Sequence, residues 1–465
     1  MDNRIKSEVI ISRDNTLYDK WVNNESQESI KMFVFEVENP NEVLNGIKAK
    51  VREVGPFVFK IQRLKEKVSF SMDKTIVSFA ERKVYLFDEL MSTGSLDDNI
   101  TVINLQFMIL NPMLTQLTQS SNTVNSRSNN SVLNTIFDTF RDNVFTSKSI
   151  REILFESKDD PKLKQITQYF TSLSRNGIYV PKLLPKNFSL FDNNTENKFE
   201  VLTGYKTGLY SKILKWNDQT NLKVWTGRQC NAINGTNGYQ FTPPVHKLGR
   251  IYEYHTDICR SIEMGYDNTY DIDGISIYRF SPVDNIFYGP KSNPKNRCYC
   301  LSPNNPEKCN FIGIVDLSSC RGSPLILSNP HFWRTSDILS KSVVGLNADE
   351  QLHQSFIEVE PISGFVIYKT KRYQLNVHVK KCPLNQNLGK TLKEGIIPLV
   401  WFEEVSELDD YTKDTIKLFF VWPNKYEELI VFGLIAFGGL LLMASLCCCC
   451  CCRGSKKKAK LHSLD

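Results

Sequence analysis

The hydrophobic pattern separates a long body from one short, uniformly apolar segment near the C-terminus. In much of the body apolar and polar residues alternate, and this period of two is typical of half-buried β-strands. One stretch contains two apolar runs separated by Asp73-Lys74, which predicts a hairpin. Strands are predicted at 31–37, 51–60 and 67–87, from residue 199 onward, at 277–280 and within 364–381.

Helical patterns occupy fewer positions. Apolar residues at helical spacing predict two amphipathic helices, at 132–158 and 160–176. Residues 103–118 are expected to form a buried helix that Pro112 breaks. Another helix is predicted over 404–420, leading toward the apolar segment.

The apolar segment predicts a transmembrane helix. Residues 429–449 carry no charge, and about 20 such residues span a bilayer. Trp422 and Tyr426 precede the segment, and five basic residues follow it. The positive-inside rule then places residues 450–465 in the cytosol and residues 1–428 outside it.

A run of six cysteines lies where this helix would leave the membrane on the cytosolic side. Cysteines at such a boundary are typical sites of S-palmitoylation, which we predict for at least some of them. The alternative is that cysteine serves as a small apolar filler. The run consists of Cys447, Cys448, Cys449, Cys450, Cys451 and Cys452.

Six further cysteines lie close together in the stretch 230–320. A zinc site would need paired ligands at short spacing, and Cys298-x-Cys300 does not have that spacing. Disulfides fit better and would require folding outside the cytosol. The six are Cys230, Cys259, Cys298, Cys300, Cys309 and Cys320, and Cys382 is left over as an expected free thiol.

Six N-x-S/T sequons support export of the body: Asn24, Asn99, Asn129, Asn187, Asn193 and Asn234. Export needs a signal, yet the first fifteen residues contain no apolar run long enough for one. We therefore expect a further segment upstream of Met1. Taken literally, the sequence would describe a tail-anchored protein whose body lies in the cytosol.

Motifs of catalysis and of nucleotide binding are absent from the sequence. Gly389-Lys390-Thr391 resembles the end of a P-loop, but Leu384 stands where that motif requires glycine. The sequence contains neither G-x-S-x-G nor H-E-x-x-H. The net charge of +6 is mild, and no arginine-rich patch interleaved with aromatic residues predicts nucleic-acid binding. The sequence thus predicts neither an enzyme nor a cofactor or metal site.

Several blocks, in order along residues 17 to 452, resemble the class B scavenger receptor family. No single block is decisive, but together they are specific. They are Glu53-Val54-Gly55-Pro56-Phe57, residues 228–265 (beginning RQCNAINGTNGYQF), YRFSPVDNIF at 278–287, residues 298–332 (beginning CYCLSPNNPEKC), GLNADEQLHQSF within 345–365, and Ile397-Pro398-x-x-Trp401-Phe402-Glu403.

The resemblance implies an α+β fold: a large twisted antiparallel β-barrel ectodomain with short helices, an apical helical bundle and a C-terminal transmembrane helix. It implies a lipid tunnel through the barrel, and ligand capture at the apex, about residues 132–176. Arg141, Lys148 and Arg151 are the candidate ligand-binding residues there, although acidic residues lie among them. It also implies the disulfides Cys230–Cys298, Cys259–Cys320 and Cys300–Cys309.

Two functions are compatible with this resemblance. The first is a membrane receptor for lipids, lipoproteins or other polyanionic ligands, which passes fatty acid, sterol or phospholipid through the tunnel. The alternative is a lysosomal membrane protein that sorts a soluble hydrolase and exports lipid. The tail contains no tyrosine and no adjacent leucine pair, the usual lysosomal signals, which favours the cell surface over the endosomal or lysosomal membrane.

Overall fold

The fold is described from a computed structural model. It describes residues 9–15, 18–23, 27–109, 144–155, 168, 171, 190–191, 195–302, 304–379 and 392–461.

Antiparallel strands dominate these residues. The strands are β1 Gln27–Val37, β2 Val51–Phe70, β3 Ile76–Phe87, β4 Asn99–Ile103, β5 Phe145–Ser149, β6 Thr195–Thr203, β7 Tyr210–Trp216, β8 Arg250–His255, β9 Arg260–Ile272, β10 Ile275–Pro282, β11 Ile314–Asp316, β12 Leu325–Ser328, β13 Phe356–Val359, β14 Val366–Val379 and β15 Gly395–Glu407. The predicted strands of the first hundred residues and their hairpin are confirmed by β1, β2 and β3.

Helices are short, apart from the last one. Residues 105–109 are helical, within the range 103–118 predicted as a helix, whose remainder lies outside the described residues. The other helices are α1 Tyr18–Asn23, α2 Pro40–Leu44, α3 Ile150–Leu154, α4 Arg228–Asn231, α5 Ser318–Arg321, α6 Asp337–Ser340, α7 Glu350–His353, α8 Asp410–Ile416 and α9 Trp422–Leu461. Short 3₁₀ turns cover Glu89–Met91, Thr256–Ile258, Pro294–Tyr299, Pro306–Cys309 and Pro330–Phe332, and a π turn, Lys417–Val421, joins α8 to α9.

The main sheet has thirteen strands in the order β7-β6-β3-β2-β1-β15-β14-β13-β10-β9-β8, with β12 on β14 and β11 on β12. Residues 235–236 connect its two outer strands. The Ile213 N–H of β7 donates to the Gly235 carbonyl (2.9 Å), and the Thr236 N–H donates to the Tyr252 carbonyl of β8 (3.0 Å). These bonds close the path from β7 to β8 into a barrel, so neither of these two outer strands is left with an open edge.

Gly235 is required for this closure. Its φ is +95°, and a Cβ at this position would lie 1.9 Å from the carbonyl oxygen of Tyr252. Any other residue would therefore be strained in its backbone and would push β8 away from β7.

The hydrophobic core follows from the alternation in the central strands. In β1, Ile30, Met32 and Val34 are fully buried, and β1 lies between β2 and β15. A second, smaller core lies where the chain leaves the barrel. There Val9 and Ile277 pack with Ile416 of α8 and with Phe420 of the π turn.

Two helix predictions are wrong in part. The helix expected over 132–158 is contradicted at residues 145–149, which form β5 and pair with β4. Ser149 explains the boundary, because it and Glu152 form a capping box, so α3 begins only at Ile150. The helix expected over 404–420 is also contradicted at its start, because β15 continues to Glu407.

The apolar segment forms part of α9. Residues Glu428–Leu446 are long and apolar enough to cross a membrane. The predicted fold class is confirmed in its large antiparallel sheet, its short helices and this C-terminal helix. The predicted helix over 160–176 and most of the apical region lie outside the described residues.

Three disulfides join Cys230 to Cys298, Cys259 to Cys320 and Cys300 to Cys309. These are the pairs that the resemblance implies. Two of them close long loops, with sequence separations of 68 and 61 residues, and the third closes a loop of 9.

Removing the long Cys259–Cys320 bridge should therefore destabilise the protein more than removing the short Cys300–Cys309 bridge. Loop-closure entropy gives a loss of about 4 kcal/mol for the first and about 2.5 kcal/mol for the second. The test compares the double alanine variants by chemical denaturation of the full chain in detergent micelles. Equal losses, or a larger loss for the short bridge, would contradict this order.

Candidate functional site: a charged cavity inside the barrel

A cavity of about 250 Å³ lies inside the barrel. Strands from both halves of the sheet line it, and many of the side chains that face it are ionised. They include Arg63, Glu81, Lys83, Glu253, Asp257, Arg321, Lys369, Lys371 and Glu404, together with apolar residues such as Phe199, Leu327 and Phe402.

The charged side chains share the inner face of their strands because they occur two residues apart. Successive side chains of a strand point to opposite faces, so residues i and i+2 share a face. Such pairs occur on four strands: Arg63 and Lys65 on β2, Glu81 and Lys83 on β3, Glu253 and His255 on β8, and Lys369 and Lys371 on β14.

The guanidinium group of Arg63 forms ion pairs with three carboxylates. Its Nε lies 2.8 Å from Glu28, its Nη1 3.1 Å from Glu81 and its Nη2 3.0 Å from Glu404. All four side chains are buried or nearly so. Burial by itself would lower the pKa of Arg63, but the surrounding anionic groups outweigh it and raise that pKa well above its ordinary value.

Glu404 connects this group to two lysines. Its carboxylate lies 2.8 Å from the Nζ of Lys83 and 3.3 Å from the Nζ of Lys371, in addition to its contact with Arg63. Burial would raise the pKa of Glu404, but these three cations hold it well below the ordinary value. The carboxylate is therefore ionised at any physiological pH.

A second group of ionised side chains also lines the cavity. Glu253 lies 2.8 Å from the Nε2 of His255 and 3.4 Å from the Nζ of Lys369. Burial would raise the pKa of Glu253, but His255 and Lys369 outweigh burial and lower the pKa to about 2.

The ion pairs in this region contain equal numbers of cations and carboxylates. The cations in them are Arg63, Lys65, Lys83, Lys369 and Lys371, and the carboxylates are Glu28, Glu81, Glu253, Asp257 and Glu404. Buried charges are stable only when they are paired. The cavity can thus remain hydrated and polar without a ligand, and it offers both signs of charge to an ionised head group.

A second cavity, of about 100 Å³, lies at the end of the barrel where α8 begins; we call this end the base. Its lining is largely apolar and includes Val9, Ile11, Trp21, Phe365 and Leu408. We call it the base cavity and the first one the barrel cavity.

Asn237 and Tyr239 line both cavities, so they form the wall between them. The Tyr239 hydroxyl donates a 2.6 Å hydrogen bond to Glu28, and the Nζ of Lys369 lies 4.0 Å from the ring centroid. Burial raises the pKa of Tyr239 well above its ordinary value, so the hydroxyl keeps its proton and remains a donor.

A buried histidine pair lies elsewhere in the core. The rings of His331 and His353 stack with centroids 4.7 Å apart. The Asn347 N–H donates to Nδ1 of His331, which leaves the proton of the neutral ring on Nε2, 2.7 Å from Glu53. Burial, followed by the charge of His331, lowers the pKa of His353 to about 4. Neither ring lines the two cavities described here, and we interpret the pair as structural.

The candidate ligand-binding residues do not form one helical surface. Lys148 lies on strand β5, and Arg151 lies on α3, where its Nε is 3.3 Å from Asp97. Arg141 lies outside the described residues, as do Cys382 and the sequons at Asn24, Asn129, Asn187 and Asn193. Asn99 and Asn234 are exposed.

The charged lining was not predicted from the sequence. Its only local signal is the set of charges at i and i+2 within strands, and that pattern also describes a strand face exposed to solvent. Only the closure of the barrel shows that this face is internal.

Known proteins are similar to this chain over most of its length. A family model described as the CD36 family matches residues 1–449. Lysosome membrane protein 2 of Rattus norvegicus is 26% identical over 423 residues, which cover 90% of this chain and 82% of that protein. Scavenger receptor class B member 1 of Mus musculus is 30% identical over 421 residues, or 89% of this chain and 77% of that protein.

The ionised carboxylate of Glu253 should stabilise the folded protein, and this contribution should be lost in acid. Its pKa in the folded state, about 2, lies below the ordinary 4.5, so its contribution is present above pH 4.5 and is lost as the pH falls toward 2. The variant Glu253→Gln should be less stable than the parent near neutral pH, by an amount on the order of 3 kcal/mol. This difference should shrink between pH 4.5 and 2.

Chemical denaturation at several pH values measures this difference. Glu89→Gln, at an exposed carboxylate, is the matched control and should change stability little at any pH. A difference for Glu253→Gln that stays constant down to pH 2 would contradict the assigned role.

Proposed function

Because the chain belongs to the CD36 family, we propose that it is a membrane receptor that binds lipids or lipoproteins and passes hydrophobic ligands through its barrel. The resemblance to named scavenger receptors supports the receptor role. The proposed action is non-covalent: a ligand is captured, enters the barrel and leaves beside the membrane.

The observation that carries the proposal is the pair of cavities that share Tyr239. The barrel cavity lies among the strands, and the base cavity reaches Leu408 and Thr412, where the chain turns toward α9. A ligand that passed Tyr239 would therefore arrive next to the membrane helix.

The lining favours amphipathic ligands over wholly apolar ones. An acyl chain can bury its methylene groups against Phe199, Phe402 and the apolar base cavity. An ionised head group would find cations such as Lys83 and Lys371 in the barrel cavity. Fatty acids and phospholipids combine these two features, whereas a sterol supplies only the first.

We propose further that residues 1–428 lie outside the cytosol and residues 450–465 inside it. Three disulfides and the exposed Asn99 and Asn234 support this orientation. An N-glycosidase should therefore increase the electrophoretic mobility of the protein expressed in cells, and Asn99→Gln and Asn234→Gln should each remove one glycan. Sensitivity of the body to protease added on the cytosolic side of intact vesicles would contradict the orientation.

Tyr239 should control passage between the cavities. Tyr239→Trp adds bulk to the wall and should slow lipid transfer, whereas Tyr239→Ala removes the ring and should speed it. The measurement uses the full chain in phosphatidylcholine vesicles and follows a phospholipid labelled on its acyl chain as it moves from donor vesicles. Tyr270→Trp, on β9 away from both cavities, is the control and should transfer lipid like the parent.

Two results would overturn the proposal. One is the absence of saturable binding of a fluorescent fatty acid to the purified full chain. The other is a transfer rate that neither Tyr239→Trp nor Tyr239→Ala changes, although both variants fold with their disulfides intact.

The similarity to lysosome membrane protein 2 favours the second candidate function, a sorting receptor for a soluble hydrolase in the lysosomal membrane. That function would depend on the apical region, most of which lies outside the described residues. Tagged protein in lysosomes, with a hydrolase mis-sorted when the protein is lost, would support it over the first. Tagged protein at the cell surface with normal hydrolase sorting would exclude it.

A further inference from the structure

Several connections between strands lie at the base, and three of them concern us here. They are residues 71–75 between β2 and β3, 204–209 between β6 and β7, and the turn 271–274 that joins β9 to β10. The antiparallel register places all three at the end where β15 leaves the sheet, since Glu407 pairs with both Gln27 and Tyr368. We call these connections the base loops.

The base loops expose large apolar side chains at their tips. Met72 is fully exposed, and Tyr205, Leu209 and Ile272 are each about 40% exposed. Single exposed apolar residues are ordinary on a protein surface. Here, however, each of the three loops named above presents at least one, and all three lie at the same end of the molecule. An apolar cluster of this kind marks a surface that contacts something other than water.

The membrane helix begins next to these loops. Tyr210, which follows the second loop, and Ile275, which follows the third, pack in the small core with Phe420. Phe420 precedes the apolar span at Glu428 by eight residues, which is about 12 Å along a helix. The loop tips thus lie within reach of the lipid head groups around α9.

The charges near the tips fit a zwitterionic surface. Lys74 and Lys206 are exposed on the first two loops, and the Nζ of Lys206 lies 5.3 Å from the Tyr205 ring. Asp271 and Asp273 are exposed on the third. Because charges of both signs are present, electrostatic attraction to anionic lipid is not the main force that would bind these loops to a membrane. Burial of the apolar tips, with an aromatic ring and lysines at head-group level, is typical of membrane interfaces.

We propose that Met72, Tyr205 and Leu209 insert into the head-group region of the bilayer that α9 spans and hold the base of the barrel against it. The third loop, with Ile272, rests on the same surface. The lipid surface is the partner that this face fits, because the helix that anchors the chain starts beside it. This inference does not require lipid to pass through the barrel.

These contacts would fix the orientation of the barrel relative to the bilayer. The helix α9 joins the barrel through the π turn Lys417–Val421, at one point of the base. Two or three apolar loops in the head groups would add contact points away from the helix axis. They would also keep the mouth of the base cavity close to the lipid.

Photo-crosslinking tests the proposal. The full chain is placed in phosphatidylcholine nanodiscs that contain a phosphatidylcholine with a diazirine near its head group, and the labelled peptides are identified by mass spectrometry. Residues 71–75 and 204–209 should carry several times more label than residues 218–220. That loop is also exposed but lies at the far end of β7, about 20 Å away.

The double variant Met72→Asp, Leu209→Asp should reduce the label on both loops to the level of residues 218–220. The control is Ile338→Asp, at an exposed apolar residue on α6 away from the base, and it should leave the pattern unchanged. Unaltered thermal unfolding would show that the double variant is folded. Parent loops labelled no more than residues 218–220, or labelling that the double variant does not reduce, would overturn the proposal.

Discussion

The guanidinium group of Arg63 is the contact on which the interior of the barrel depends. It brings together carboxylates from β1, β3 and β15, which with β2 are four neighbouring strands of the sheet. Without this cation, Glu28, Glu81 and Glu404 would stand close together in a buried space. Removing one partner of a buried ion pair typically costs about 3–5 kcal/mol because the remaining charge is left uncompensated. The network thus links four neighbouring strands along their inner face and fills that face with paired charges instead of packed hydrocarbon.

The barrel cavity adjoins a second cavity at the base. A core filled only by leucine and phenylalanine would close by packing, as protein interiors normally do. Long ionised side chains instead hold one another at hydrogen-bond distance and leave a cavity lined by both charge and hydrocarbon. At Tyr239 this polar space meets the apolar base cavity, which borders the N-terminal segment and α8. The small core around Phe420 then ties α8 to the strands and sets where α9 starts.

The sequence predicted local structure well where apolar and polar residues alternate along one strand. The alternation in 31–37 and the turn at Asp73-Lys74 were sufficient for β1 and for the β2–β3 hairpin. It failed at residues 145–149, where the choice between helix and strand depends on pairing with β4 and on the capping box at Ser149. It also missed the cavity, because Arg63 and Lys65 alternate with apolar residues just as they would on a strand with one face in water.

By itself, the sequence determined the features that depend on composition over a short stretch. The apolar segment at 429–449 is sufficient to predict a membrane helix, because the cost of burying charge in lipid acts on that segment alone. The clustered cysteines and the sequons indicated an exported body, because each of these signals is also contained in a short stretch of sequence. The six cysteines allow fifteen pairings, however, and only the fold or a resemblance chooses among them. The tertiary structure decided which strand faces are internal, where Arg63 finds its carboxylates and which loops share the base. Each of these depends on the register between strands that are distant in sequence, and no local pattern encodes that register.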